Sequence, residues 1–241
     1  MTQLPKSLDD AIAQARDAAT AAVNDGYKRL QVEILIPELK VMPVAAQFIP
    51  AFENFENKLR VIFPDAGAAA LARRDWGEKP YIIRGIQDLK ADIQPEEELF
   101  IFVEPSSVEV TQVEEMCNQA GDRPVIFLNP SLEDVATIGI GYAGRQLRER
   151  FLNTFESCYY LRPLEGSALF RCYPSPWQVW RETEGDYELA GEQAQRPTAE
   201  EIERLLIGDL ASSGETAPGA TPRPRKGILS GLQDFLRALS Q

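Results

Sequence analysis

Leu99-Phe100-Ile101-Phe102-Val103 is a run of large apolar residues with no room for a solvent face. A strand of this kind belongs inside a sheet covered on both sides. Pro105 has no N–H to give a ladder and ends the run. Ser106 and Glu109 then stand at capping-box spacing, and Val110, Val113, Met116, Cys117 and Ala120 continue as the apolar face of a helix. Gly121 closes that helix, and Val125 to Leu128 makes a second short apolar strand. Strand, helix, strand is a β-α-β unit, which requires parallel pairing and helices over the sheet faces.

The same punctuation runs through the rest of the chain. Ser7 with Asp10 opens a helix that carries a shallow alanine-rich stripe and stops at Asn24-Asp25-Gly26. A strand follows over Leu30 to Ile36, then a helix over Pro43 to Phe55 strained by Pro50, and a strand over Leu59 to Phe63. Asp65-Ala66-Gly67 leads into a helix ending near Trp76-Gly77, and Tyr81 to Ile83 reads as a short strand. Beyond Asn129-Pro130 a glycine-bearing loop precedes a helix over Arg145 to Phe155. Cys158 to Leu161, Leu169 to Tyr173 and Trp177 to Trp180 are separated by turn residues and read as antiparallel edge strands, with Asp186 to Leu189 adding to them. Thr198 with Glu201 caps a helix bearing Ile202, Leu205 and Leu206. The fold expected is a three-layer, Rossmann-like α/β domain over residues 1–210, its sheet mostly parallel with antiparallel C-terminal edge strands. Residues 211–224, rich in Ser, Gly, Thr, Ala and Pro, read as a flexible linker before an amphipathic helix over 225–241.

Composition narrows the classes of function. A net charge of -12 argues against wrapping nucleic acid. The absence of histidine removes His-based triads and His-containing metal sites, and three scattered cysteines form neither a zinc knuckle nor a disulfide framework. No metal and no cofactor is therefore expected. No apolar run approaches the roughly 20 residues that span a bilayer. The acidic N-terminus lacks an apolar signal core and reads as mature sequence without a targeting peptide, and the isolated cysteines read as reduced core residues of a cytoplasmic-type compartment. The charge is uneven: residues 218–241 carry a net +3, which leaves -15 on the rest.

Two candidate sites emerge. Asp65, Ala66, Gly67, Glu104, Ser106, Ser107 and Asn129 all fall just past strand carboxyl ends, where open α/β sheets bind ligands. Polar turns are also what any such sheet carries there, and Asp65 is a natural helix cap. Gly139, Gly141 and Gly144 match the dinucleotide fingerprint as a string but stand well beyond the preceding strand, so they read as a loop. Arg145, Arg148 and Arg150 read as a solvated helix face. The second site is the tail: Ile228, Leu229, Leu232, Phe235, Leu236 and Leu239 make one apolar stripe, preceded by Arg223, Arg225 and Lys226. Such a segment binds a membrane surface, a partner groove or its own domain.

Glu156-Ser157-Cys158-Tyr159-Tyr160-Leu161-Arg162-Pro163-Leu164 and Phe170-Arg171-Cys172-Tyr173-Pro174-Ser175-Pro176-Trp177, with Phe63 to Gly67 and Gly139 to Leu152, resemble blocks of a cyanobacterial and plastid domain family without an assigned biochemical function. The resemblance covers roughly residues 5–182. The family includes a plant low-photosystem-II-accumulation factor and the extension of a plastid adenylate kinase. No phosphate loop of the kinase type is present, so kinase activity is not implied. The resemblance implies a non-enzymatic auxiliary factor of photosystem II, peripheral to the thylakoid membrane, with membrane-complex subunits as partners. The alternative is a small-molecule or nucleotide-binding domain, or an enzyme, that uses the strand-end crevice.

Overall fold

The structure is a computed structural model and describes residues 3–88, 92–132, 142–183 and 185–212. The tail stripe, its basic lead-in and Gly139 to Gly141 lie outside the described residues. The sheet starts with β1 (Arg29–Ile34), β2 (Leu59–Phe63), β3 (Ile82–Gly85), β4 (Leu99–Val103) and β5 (Val125–Leu128). It continues with β6 (Glu156–Leu164), β7 (Ser167–Cys172), β8 (Trp177–Thr183) and β9 (Asp186–Gln193). These nine strands form one sheet in the order β3-β2-β4-β5-β1-β6-β7-β8-β9. As the doubly apolar run requires, β4 is interior, paired parallel with β2 and β5, and every residue in it is buried.

Helices cover both faces. On one lie α1 (Leu8–Asn24), α2 (Val41–Phe48), a 3₁₀ stretch (Ile49–Lys58) and α3 (Ala66–Trp76), packed on Val32, Val61, Ile101 and Ile126. On the other lie α4 (Val110–Ala120) and α5 (Tyr142–Arg150), packed on Ile62, Phe100, Phe102 and Phe127. Farther along that face, α6 (Ala199–Ser212) sets Ile202, Leu205 and Leu206 on Tyr160, Leu169 and Val179. The caps are those the sequence spells. Ser7 Oγ accepts from Asp10 N–H at 3.0 Å, and Asp65 Oδ1 from Ala68 N–H at 2.9 Å. Thr198 and Glu201 bond reciprocally at 2.7 and 3.3 Å.

Three elements differ from expectation. The helix read over Pro43 to Phe55 is α-helical only to Phe48, and Pro50 stands where the ladder tightens into 3₁₀. At the 106–109 capping box Ser106 Oγ donates to Glu109 Oε2 at 2.5 Å, and the helix begins one residue later at Val110. The third difference concerns β6, whose Tyr159, Tyr160 and Leu161 pair parallel with Val32, Glu33 and Ile34 of β1 while its other side pairs antiparallel with β7. It is therefore the hinge between the two halves of the sheet rather than an edge.

The amino-terminal side of the sheet is held by two arginines, Arg60 buried and Arg29 half-buried. Arg60 pairs with Glu97 at 2.5 Å, side chains 3% and 0% exposed, and also donates to Asp92 O at 2.9 Å. Arg29 donates to Cys117 O and Gly121 O at 2.7 Å, satisfying carbonyls at the end of α4.

Candidate functional site

From β1 the chain crosses the α1 face through α2; from β5 it crosses the other face to α5. The direction of crossover thus reverses between neighbouring β1 and β5, and sheets of this type part to receive ligands at such a point. The sequence explains why no helix of the described residues seats itself here. Leu30, Val32 and Ile34 of β1 face the α1 layer and are buried, whereas Gln31 and Glu33 face the other way. Helices α4 and α5 cover the strands on one side of them and α6 those on the other. Polar side chains on a central strand give neither helix an apolar seat.

Above them is a cleft of about 870 Å³. Its walls are the 3₁₀ turn Leu152–Thr154, carrying Asn153, and the connector from β9 to α6, carrying Gln195 and Arg196. Phe127 and Phe155, stacked at 4.0 Å, form its apolar side. A second hollow of about 310 Å³ shares Gln31, Phe155, Gln195 and Arg196 with the first and extends over Ser157, Arg171 and Trp177. The two adjoin at these shared residues.

The charged groups of this cleft are held in place. Arg196 donates to the Tyr160 hydroxyl at 2.6 Å and lies over the Tyr160 ring at 4.5 Å and the Trp177 ring at 5.7 Å. Arg171 pairs with Glu156 and lies 5.5 Å over Trp177, while its buried Nε has no hydrogen-bond partner among the described residues. Gln31 donates to Glu33 Oε2 at 3.0 Å, and Ser157 Oγ stands 3.5 Å from the same oxygen. Burial pushes the Tyr160 phenol above its ordinary value while the Arg196 charge draws it down, and the ring remains a neutral phenol near pH 7. The amides of Asn153 and Gln195 and the Gln31 Oε1 make no hydrogen bond among the described residues.

The strand-end residues named from the sequence lie in a row along the carboxyl edge, just past β2, β4 and β5, and most of their polar groups are engaged locally. Asp65 caps α3 with Ala66 and Gly67 in its first turn. Ser106 bonds Glu109; Ser107 N–H donates to Ser131 O at 3.0 Å, and Ser131 N–H to Pro105 O at 2.8 Å, so β4 and β5 stay tied past their ends. The Asn129 amide accepts from Ile34 N–H at 2.8 Å and donates to Ile34 O at 3.0 Å, closing β5 onto β1. Glu104 and Asn129 both take left-handed backbone, with φ of 49° and 48°. Desolvation holds the Glu104 carboxyl above its ordinary range. Sequence reasoning missed Gln31, Glu33, Asn153, Gln195 and Arg196. The polar alternation of Gln31 and Glu33 on an otherwise apolar strand was the available signal.

The profile of a family described as a domain of unknown function (DUF1995) matches residues 5–204. The chain belongs to that family. This DUF1995 domain runs from just before α1 into α6, and both hollows of the cleft fall inside it. Among the described residues, no helix of the DUF1995 protein is long and apolar enough to cross a membrane, and no group of His, Cys, Asp or Glu is placed to hold a metal ion.

Proposed function

We propose that this protein is a non-enzymatic auxiliary factor of photosynthetic membranes that supports photosystem II accumulation, and that the cleft over β1 holds a partner subunit. The observation that carries the reading is how the cleft is equipped. Its guanidinium groups are fixed on Tyr160, Trp177 and Glu156, while the neutral amides at its rim have no hydrogen-bond partner among the described residues. Fixed charge with unpaired hydrogen-bonding groups suits recognition. The sequence blocks at 156–164 and 170–177, which resemble those of the photosystem II accumulation factor, build β6, β7 and the Trp177 side of this cleft. Attachment to the thylakoid from the cytoplasmic side is assigned to the tail, with Arg223, Arg225 and Lys226 at anionic lipid and the stripe from Ile228 to Leu239 in the interface.

The test is a pull-down from solubilised thylakoid membranes. The full chain is expected to recover photosystem II subunits, and Arg196→Glu or a chain ending at Ala217 to recover fewer. Equal recovery by all three, or none by any, overturns the reading.

A second reading is favoured by the paired left-handed residues Glu104 and Asn129 at neighbouring strand ends, since strained backbone concentrates at ligand sites. On it, a small molecule or nucleotide sits over Asp65-Ala66-Gly67 and Glu104 to Ser107. Titration of a nucleotide panel followed by NMR decides: shifts centred on those residues support it, and shifts absent there refute it.

A further inference from the structure

We infer that the cleft is a groove for an extended polypeptide segment of about six residues, its main chain met by the amides of Gln31, Asn153 and Gln195 and one of its acidic groups by Arg196. The inference rests on the reading of the cleft as the partner-recognition surface, and it names the chemistry of what is recognised.

Length comes first. Residues of five neighbouring strands, β5, β1, β6, β7 and β8, line the two adjoining hollows. Four inter-strand steps of about 4.8 Å make a groove about 19 Å long, which roughly six residues of extended chain would fill at about 3.3 Å each. A compact metabolite would occupy one hollow and leave the other open.

The lining then selects among extended ligands. A strand of nucleic acid is disfavoured by the net charge of -12. Sugars and nucleobases bind through open aromatic faces, but Trp177 and Tyr160 are buried and covered by the guanidinium groups of Arg171 and Arg196. What the rim does offer is carboxamide. Each carboxamide carries a donor and an acceptor, and so does each peptide unit. An extended peptide presents these groups at regular intervals, whereas an apolar chain would leave the rim unanswered.

Arg196 supplies the polar anchor. One nitrogen is bonded to Tyr160, and no other hydrogen bond from its guanidinium exists among the described residues. A planar fork already oriented by a phenol and two rings is prepared for a carboxylate. The exposed side chains of Asn153, Gln195 and Arg196 can be changed without disturbing the core.

The experiment selects random heptapeptides by display on the full chain, then measures the enriched peptides, as synthetic molecules, by fluorescence polarisation. Enriched peptides are expected to carry Asp or Glu. Their affinity is expected to fall about tenfold or more on Asn153→Ala with Gln195→Ala, in a variant of unchanged melting temperature. Exchanging the peptide's acidic residue for its amide is expected to weaken binding to the wild-type chain, with no further loss on Arg196→Gln. N-methylation of the central peptide bonds is expected to weaken it as well. Enrichment no better than on an unrelated acidic protein overturns the inference, and so does equal binding by the variants. Displacement of the peptide by equimolar glutarate also overturns it, because the site would then take a free carboxylate. If a variant melts early, the peptide-side changes on the wild-type protein still decide. These measurements need no membrane, so their failure is separable from failure of the photosystem II pull-down.

Discussion

Asn129 carries two tasks at one strand end. Its amide closes both backbone groups of Ile34, and it tolerates the left-handed conformation that most side chains resist. Asn129→Ala is expected to cost about 2–4 kcal/mol, from lost hydrogen bonds and backbone strain. Asn129→Gly should cost visibly less, because only the hydrogen bonds go; urea unfolding of the two compares the terms. The buried Arg60–Glu97 pair makes a second test. Removing one partner, as in Arg60→Met, should destabilise by about 3–5 kcal/mol, whereas replacing both by apolar residues should recover most of that. Glu104 gives a pH dependence. Desolvation raises its carboxyl pKa in the folded state, so the fold binds that proton more tightly than the unfolded chain. Its stabilising contribution is then full below the ordinary carboxylate value and is lost as pH rises through the folded one. Glu104→Gln should therefore raise the urea midpoint at pH 7 and leave it unchanged near about pH 3, where both states are protonated. The effect is small because the side chain still reaches solvent.

Two glycines separate tight from yielding contacts between elements. A Cβ on Gly85 would lie 2.7 Å from Ala66 N and from Asp65 C, backbone atoms that cannot step aside without parting β3 from the start of α3. A Cβ on Gly191 would meet Leu205 Cδ2 at 2.7 Å, the far end of a side chain that can rotate. Gly85→Ala is expected to cost about 2–3 kcal/mol and Gly191→Ala about 1 kcal/mol or less, by thermal or urea unfolding. The order matters for the cleft, since Gly191 lets α6 settle on β9, and the connector between them carries Gln195 and Arg196. The buried cysteines, by contrast, have no reactive part: burial pushes the Cys117 and Cys158 thiols up to about 12, and both should resist alkylation until the protein unfolds.

For the whole molecule, charge is the organising quantity. A body near -15 would be repelled by anionic lipid, while residues 218–241 carry +3 and an apolar stripe. Flotation with anionic liposomes is expected to recover the full chain and to leave a chain ending at Ala217 behind. Leu232→Asp should abolish flotation without moving the melting temperature of the domain. Equal flotation of full and shortened chains would sink the membrane assignment.

Local chemistry made much of the fold readable. The run at 99–103 announces a doubly covered strand because no residue in it tolerates water, and Asp65, Ser7 and Thr198 announce helix starts because their side chains satisfy amides only a few residues away. Periods of two and 3.6 are properties of a segment, so composition and order suffice to place them. The partner of β6 is not such a property. Its pairing with β1 joins residues more than a hundred positions apart, and a strand's own pattern does not say whether its neighbour runs with it or against it. The cleft has the same origin. Gln31 and Glu33, the 3₁₀ turn at Leu152–Thr154 and the connector bearing Arg196 are unremarkable apart, and they form a lined groove only because the crossovers turn opposite ways beside β1. The strand-end polar residues were visible in the sequence as a set. Asp65 and Ser106 answer amides within their own turns, as their spacing announces, whereas tertiary structure alone decided that Asn129 closes both backbone groups of Ile34 on the neighbouring strand.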